Sequence, residues 1–140
     1  MEEKNKAILI EFIDKIWNKG NLEIADKFIG SPYVIYHDPG DPWELKNLEL
    51  VTFKERVAYS RHVFPDLHFT LEELIAEGNK VAVSWRFQGT QKGGLPGFPA
   101  TGKQVNVSGL TIYSFVNGKI TGHWQVMDRL GLISQLKPTQ

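Results

Sequence analysis

The sequence predicts an α+β domain, in which a curved, mostly antiparallel sheet forms a cone and N-terminal helices pack over its concave face. Three observations carry this. Apolar residues recur at three- and four-residue spacing through the first half, they alternate with polar ones from about residue 67, and Gly78-Asn79 and Asn117-Gly118 supply two tight hairpin turns. The 140 residues fit a single domain spanning 1–140, and 41% hydrophobic against 23% charged is enough to build a packed core.

Along the chain, Ala7, Ile8, Phe12, Ile13, Ile16 and Trp17 describe one apolar helix face, so a helix is expected near 4–18, stopped by Gly20-Asn21. Leu22, Ala25, Phe28 and Ile29 give a second short helix near 22–29, ended by Gly30, Ser31 and Pro32. Residues 33–37 are β-rich, and the cluster Asp38, Pro39, Gly40, Asp41 and Pro42 breaks the strand. Thr52 with Glu55 fits a capping box, opening a helix near 52–63 that Pro65 closes.

Four strands follow, near 67–77, 80–90, 103–116 and 119–127. In the first, the apolar parity passes from Phe69 and Leu71 to Leu74 and Ala76, which predicts a bulge and a strongly bent sheet. In the second, Val81, Val83, Trp85 and Phe87 form one buried face. Gly93, Gly94, Pro96, Gly97, Pro99 and Gly102 make the next stretch a long loop. The strand 103–116 opposes Tyr113 and Phe115 to Ile112 and Val116, so its outer face is expected to meet a second copy in a homodimer. A short helix begins at Arg129 and Leu130.

Charge excludes two classes of partner. Lysine plus arginine equals aspartate plus glutamate at 16 each, and the seven bases after residue 79 are scattered singly, so neither nucleic acid nor membrane is expected to bind. The absence of cysteine removes disulfides, thiolate metal sites and thiol nucleophiles. Met1-Glu2-Glu3-Lys4 leads into no apolar run of roughly 7–15 residues, and the expected location is cytoplasmic.

Three motif matches fail on context. Gly97 and Gly102-Lys103 have the spacing of a phosphate-binding loop, but Gln104 follows in place of Ser or Thr and a strand stands where a helix is needed. Asn106-Val107-Ser108 matches a glycosylation acceptor in mid-strand. The histidines His37, His62, His68 and His123 include no pair at helical spacing, so no metal is expected.

Asp128 is the unusual residue of the last strand. It shares parity with Ile120, Gly122, Trp124 and Val126, which would put a carboxyl at the apolar inner end of the strand, partly desolvated and suited to acid/base work. It is equally placed to cap the helix that follows. His123 lies five residues away and reaches the same pocket only through a bulge. Tyr36, His37 and Asp38 sit where a short strand runs into a turn, from which polar side chains reach a pocket mouth, with Tyr36 or His37 as donors, while Trp17, Trp85 and Trp124 are expected to line the core or pocket.

Taken together, the chain resembles the SnoaL-like polyketide cyclases of the nuclear transport factor 2-like superfamily, from about Lys4 to Leu136. The residues that carry the resemblance are Trp17-Asn18 with Gly20-Asn21, Tyr36-His37-Asp38-Pro39, Phe64-Pro65-Asp66, Gly89-Thr90, Thr101-Gly102-Lys103, Asn117-Gly118-Lys119, and Trp124 through Asp128 to Gly131-Leu132 and Gln135-Leu136. The resemblance implies a cone with helices over its mouth, often dimeric, and a cofactor-free intramolecular aldol ring closure using one aspartate, which by position is Asp128. It also shows a departure: many relatives carry histidine after Gly-Thr, where this chain has Gln91, a residue expected at the ligand pocket.

Two functions follow as expectations. One is a cyclase or isomerase acting on a small apolar or carbonyl-containing molecule, with Asp128 as acid/base, His123 and His37 in support, and no cofactor. The other is a non-catalytic binding module with the same pocket.

Overall fold

The computed structural model describes residues 1–137. Six strands form one mixed, curved, unclosed sheet: β1 (Ile29–His37), β2 (Asn47–Leu48), β3 (His68–Glu77), β4 (Lys80–Thr90), β5 (Gln104–Val116) and β6 (Lys119–Met127), ordered β2-β1-β6-β5-β4-β3. Every neighbouring pair is antiparallel except β1 with β6, which runs parallel. That pairing joins the first long strand to the last, placing residues some 85 apart in sequence side by side.

The helical half covers the concave face. The helix α1 (Glu2–Phe12) passes directly into a π-helical segment, Ile13–Asn18, and together they bury Leu9, Phe12, Ile13, Ile16 and Trp17 in the core. The segment is tied down at its end. The backbone N–H of Phe69 donates to the Asn18 side-chain oxygen (2.8 Å), the Asn18 amide donates to the Phe69 carbonyl (3.1 Å), and Arg61 donates to the carbonyls of Trp17 and Asn18 (2.7 and 2.9 Å). These bonds satisfy acceptors that a helix end leaves open, and they fix Trp17 against β3.

Several expected boundaries shift. The second short helix is a 3-10 segment, Leu22–Lys27. Gly30, Ser31 and Pro32 do not end a helix but lie inside β1, where the β1–β6 register breaks between Ile29 and Val34, so the missing proline N–H costs no ladder bond. The helix α2 (Leu50–Val63) starts two residues before Thr52, after Glu49, and no side chain caps it. The two-residue β2 has no sequence signal of its own.

The second half follows its period. The bulge expected in β3 is present: register passes from Leu71 opposite Trp85 to Glu73 opposite Ser84, leaving Glu72 unpaired. At the last hairpin, Asn117 and Gly118 take φ of 49° and 77°, the left-handed pair that a tight turn between twisted strands requires. Gly109 on β5 lies directly opposite Trp85, and a Cβ there would stand 2.2 Å from the indole Cζ2, so the ring occupies the space a side chain would fill. The chain ends in α3 (Arg129–Leu136), whose Leu132, Ile133 and Leu136 close one side of the cone.

Candidate active site

The cone encloses a cavity of about 390 Å3, within the usual range for small-molecule sites. Its β3–β4 side is aromatic: Trp17, Phe69, Trp85 and Phe87 pack edge to face, with ring centroids 5.1–5.6 Å apart. Its β1–β6 side is polar, carrying Tyr33, Asp41, Arg56, Tyr113, His123 and Gln125.

Two bulges make that polar wall. On β6 the register passes from Ser114 opposite Gly122 to Phe115 opposite Ile120, so Thr121 is an extra residue and the facing of the strand reverses after it. His123, Gln125 and Met127 therefore face the cavity, while Trp124 and Val126 face outward. On β1 a second register shift, between Ile35 and His37, turns His37 outward beside Tyr36 and brings Asp38 inward.

The buried groups bond in one connected file. The Tyr33 hydroxyl lies 2.5 Å from His123 Nδ1, and His123 Nε2 lies 2.9 Å from Asp38 Oδ2. An ionised carboxylate only accepts, so Nε2 carries the proton, Nδ1 is the acceptor, and the Tyr33 O–H donates to it. Arg56 donates to Asp38 (3.1 Å) and twice to Asp41 (3.0 and 3.2 Å). A second chain supports the first: the Trp85 indole donates to Thr111 (2.8 Å), the Thr111 hydroxyl donates to the Gln125 side-chain oxygen (2.7 Å), and the Gln125 amide donates to Asp38 (3.3 Å).

Electrostatics follow from burial. Desolvation pushes the His123 imidazole below its ordinary value of 6.5, against the pull of the Asp38 hydrogen bond, and the Arg56 charge adds to the depression. Burial raises the Tyr33 phenol well above 10.0, helped by Tyr113. For Arg56, burial opposes the charge, but Asp41, Tyr33 and Asp38 outweigh it and hold the guanidinium above its ordinary range. The Arg56 guanidinium sits between Asp38 and Asp41, where a metal would need to lie to use both carboxylates.

Of the candidates named from the sequence, Trp17, Trp85 and His123 line the cavity. The other five do not. Tyr36, His37 and Trp124 lie on the convex face, where the His37 ring stacks on Trp124 at 4.5 Å and 13°. Asp128 is exposed, and it accepts from the Gly131 backbone N–H at 2.8 Å as the cap of α3. The reversal at Thr121 is the physical reason: parity counted from Ile120 puts Asp128 inside, whereas parity after the bulge puts it outside, in solvent. Gln91 is fully buried but acts on a loop. Its amide donates to the Phe98 carbonyl (3.0 Å) and its oxygen accepts from the Thr101 hydroxyl (2.7 Å), clasping the segment that presents Leu95, Pro96 and Phe98 to the cavity.

Sequence reasoning did not select Tyr33, Arg56, Tyr113 or Gln125, and it placed Asp38 near a pocket mouth without giving it a role. For Arg56 a signal existed, because it interrupts the apolar helix stripe of Phe53, Val57 and Val63. Asp38 stood inside the Tyr36-His37-Asp38-Pro39 motif, but nothing local tells an inward aspartate from one in a turn.

The sequence profile of the SnoaL-like polyketide cyclases matches residues 7–136. Among solved structures, a protein described as a candidate polyketide cyclase from Acidithiobacillus ferrooxidans is 47% identical over 95% of this chain and 94% of its own, with a TM-score of 0.89. TsrD from Streptomyces laurentii is 26% identical over 96% and 95%, with a TM-score of 0.80. A candidate SnoaL-like polyketide cyclase from Jannaschia sp. CCS1 is 21% identical over 99% and 95%, with a TM-score of 0.85, a likeness of fold. No curated protein matches the chain. Among the described residues, no helix is long and apolar enough to cross a membrane.

Proposed function

Because this chain belongs to the SnoaL-like polyketide cyclase family, we propose that it is a cofactor-free cyclase or isomerase that moves a proton next to a carbonyl of a small, largely apolar molecule held in the cone. The observation that carries this reading is the file Tyr33, His123, Asp38, set on one wall of an otherwise aromatic cavity.

The file has the logic of a hydroxyl, imidazole and carboxylate triad. The Tyr33 oxygen takes the proton from the carbon beside the carbonyl as its own proton passes to His123 Nδ1. The imidazolium so formed keeps its Nε2–H on the Asp38 carboxylate, which Arg56 and Gln125 hold in place. The electron pair of the broken C–H bond moves into the enolate. In ring closure the enolate carbon attacks a second carbonyl, and the proton returns through Tyr33 to the new alkoxide, so none is gained or lost.

The competing assignment keeps Asp128 as the acid/base, and a competing function keeps the cavity as a binding module without turnover. The second is favoured by the complete engagement of Asp38 and Arg56 with protein partners. Exchange of acidic α-protons for deuterium, followed by NMR over a panel of small β-dicarbonyl esters, separates them. His123→Gln and Tyr33→Phe are expected to lose roughly a hundredfold or more while Asp128→Asn keeps the rate. Exchange that survives His123→Gln removes the file from the mechanism, and loss confined to Asp128→Asn returns the role to that residue.

We further propose a cytoplasmic location and, separately, a homodimer. Its support is the convex face, where Tyr36 (52% exposed), Trp124 (41%), Leu110 and Val126 stand open together.

A further inference from the structure

Tyr113 differs from every other polar side chain of the β1–β6 wall. Tyr33, Asp38, Asp41, Arg56, His123 and Gln125 all bond to one another. The Tyr113 hydroxyl has no hydrogen-bond partner among the described residues, although the residue is only 7% exposed and lines the cavity. No buried side-chain N or O atom lacks a partner among the described residues, so this oxygen retains accessible surface, and the cavity is where a side chain so buried can offer it. Register fixes its place. Tyr113 on β5 sits directly opposite His123 on β6, with ring centroids 6.0 Å apart, and the Tyr33 ring lies 5.6 Å from the same imidazole.

We propose that Tyr113 is the donor that holds the substrate's carbonyl oxygen and stabilises it as the enolate forms, an inference that rests on the proton-transfer reading above. Two phenols then flank one imidazole with different tasks. Tyr33 is spent on His123 Nδ1 and handles the proton, while Tyr113 is free to donate to an oxygen. When the C–H bond breaks toward Tyr33, negative charge gathers on the carbonyl oxygen, and a preset O–H in a largely buried cavity stabilises it more than water would. Burial also keeps the Tyr113 phenol protonated far above neutral pH, so it is always a donor. The substrate class narrows accordingly. It is a ketone or ester whose oxygen reaches Tyr113 while its adjacent C–H faces Tyr33, with the apolar remainder against Trp17 and Trp85.

The test reads binding and not turnover, so it stands or falls separately from the exchange assay. The probe is a substituted 2-naphthol, ionised at working pH so that its oxygen copies an enolate, with naphthalene as the oxygen-free control, and affinity is followed by fluorescence. Tyr113→Phe is expected to weaken the naphtholate by roughly ten- to a hundredfold and to leave naphthalene and the melting temperature unchanged, because the hydroxyl has no protein partner to lose. Equal naphtholate affinity in the two proteins overturns the proposal. So does a loss shared by naphthalene, a lowered melting temperature in Tyr113→Phe, or a wild-type protein that does not prefer naphtholate to naphthalene.

Discussion

His123 Nε2 donates to Asp38 Oδ2 across 2.9 Å, with the two side chains 2% and 1% exposed. The bond joins the end of the first long strand to the middle of the last, and it exists only because β1 and β6 pair in parallel and each carries a bulge.

Removing the carboxylate from that contact leaves the buried His123 Nε2–H without its acceptor and leaves Arg56 to Asp41. Asp38 also holds Arg56, whose side chain is 7% exposed. Asp38→Ala is therefore expected to lose about 1–3 kcal/mol of stability, the usual cost of leaving a buried donor unsatisfied, because Arg56 keeps Asp41. Urea unfolding measures it, and a loss below about 1 kcal/mol, typical of surface pairs, would mean that water reaches the cluster.

The depressed imidazole sets a pH slope. Well above 6.5 His123 is neutral whether folded or not, and its titration contributes nothing; as pH falls through 6.5 toward the lower folded value, the unfolded chain binds a proton that the folded one refuses. Stability is expected to fall through that window, and His123→Gln should remove this part of the slope. An NMR titration of the His123 ring that gave a midpoint at or above 6.5 would contradict it.

Asp128 should behave as a cap. Asp128→Asn is expected to be nearly neutral in thermal unfolding and Asp128→Ala to lose about 1 kcal/mol, since asparagine accepts from the Gly131 N–H and alanine does not. Equal losses for the two substitutions would show that the charge matters and the cap does not.

Gly109→Ala tests the second chain of hydrogen bonds. Its Cβ would meet the Trp85 ring at 2.2 Å, displacing the indole that donates to Thr111. The expected cost is about 1–3 kcal/mol of overpacking strain, with a changed Trp85 fluorescence. Unchanged emission and stability would show that the ring can move freely.

The proposed dimer places Trp124 at its centre. Trp124→Glu should give the monomer mass by light scattering while keeping the helical and strand content of the wild type, because the ring lies outside the core. A wild-type protein already monomeric at roughly micromolar concentration or above would end that reading.

Most of the architecture was legible because it rests on local rules. Alternation wrote β4 and β5, Asn117-Gly118 wrote the last hairpin, and the parity change in β3 announced its bulge. The bulge in β6 wrote nothing comparable. Thr121 is unremarkable in sequence, and a single extra residue there exchanges the faces of all that follows, so His123 and Gln125 turn inward and Asp128 turns out.

By itself, then, the sequence determined the α+β class, the helical cover, the run of strands and the aromatic wall of Trp17 and Trp85, since each depends on the spacing of apolar residues within one element. Only the tertiary structure decided which polar side chains meet. Tyr33, Asp38, Arg56 and His123 come from two strands and a helix, and their convergence depends on a parallel pairing and two one-residue offsets that no local pattern encodes, because a strand's facing is set by its partner's register as much as by its own residues.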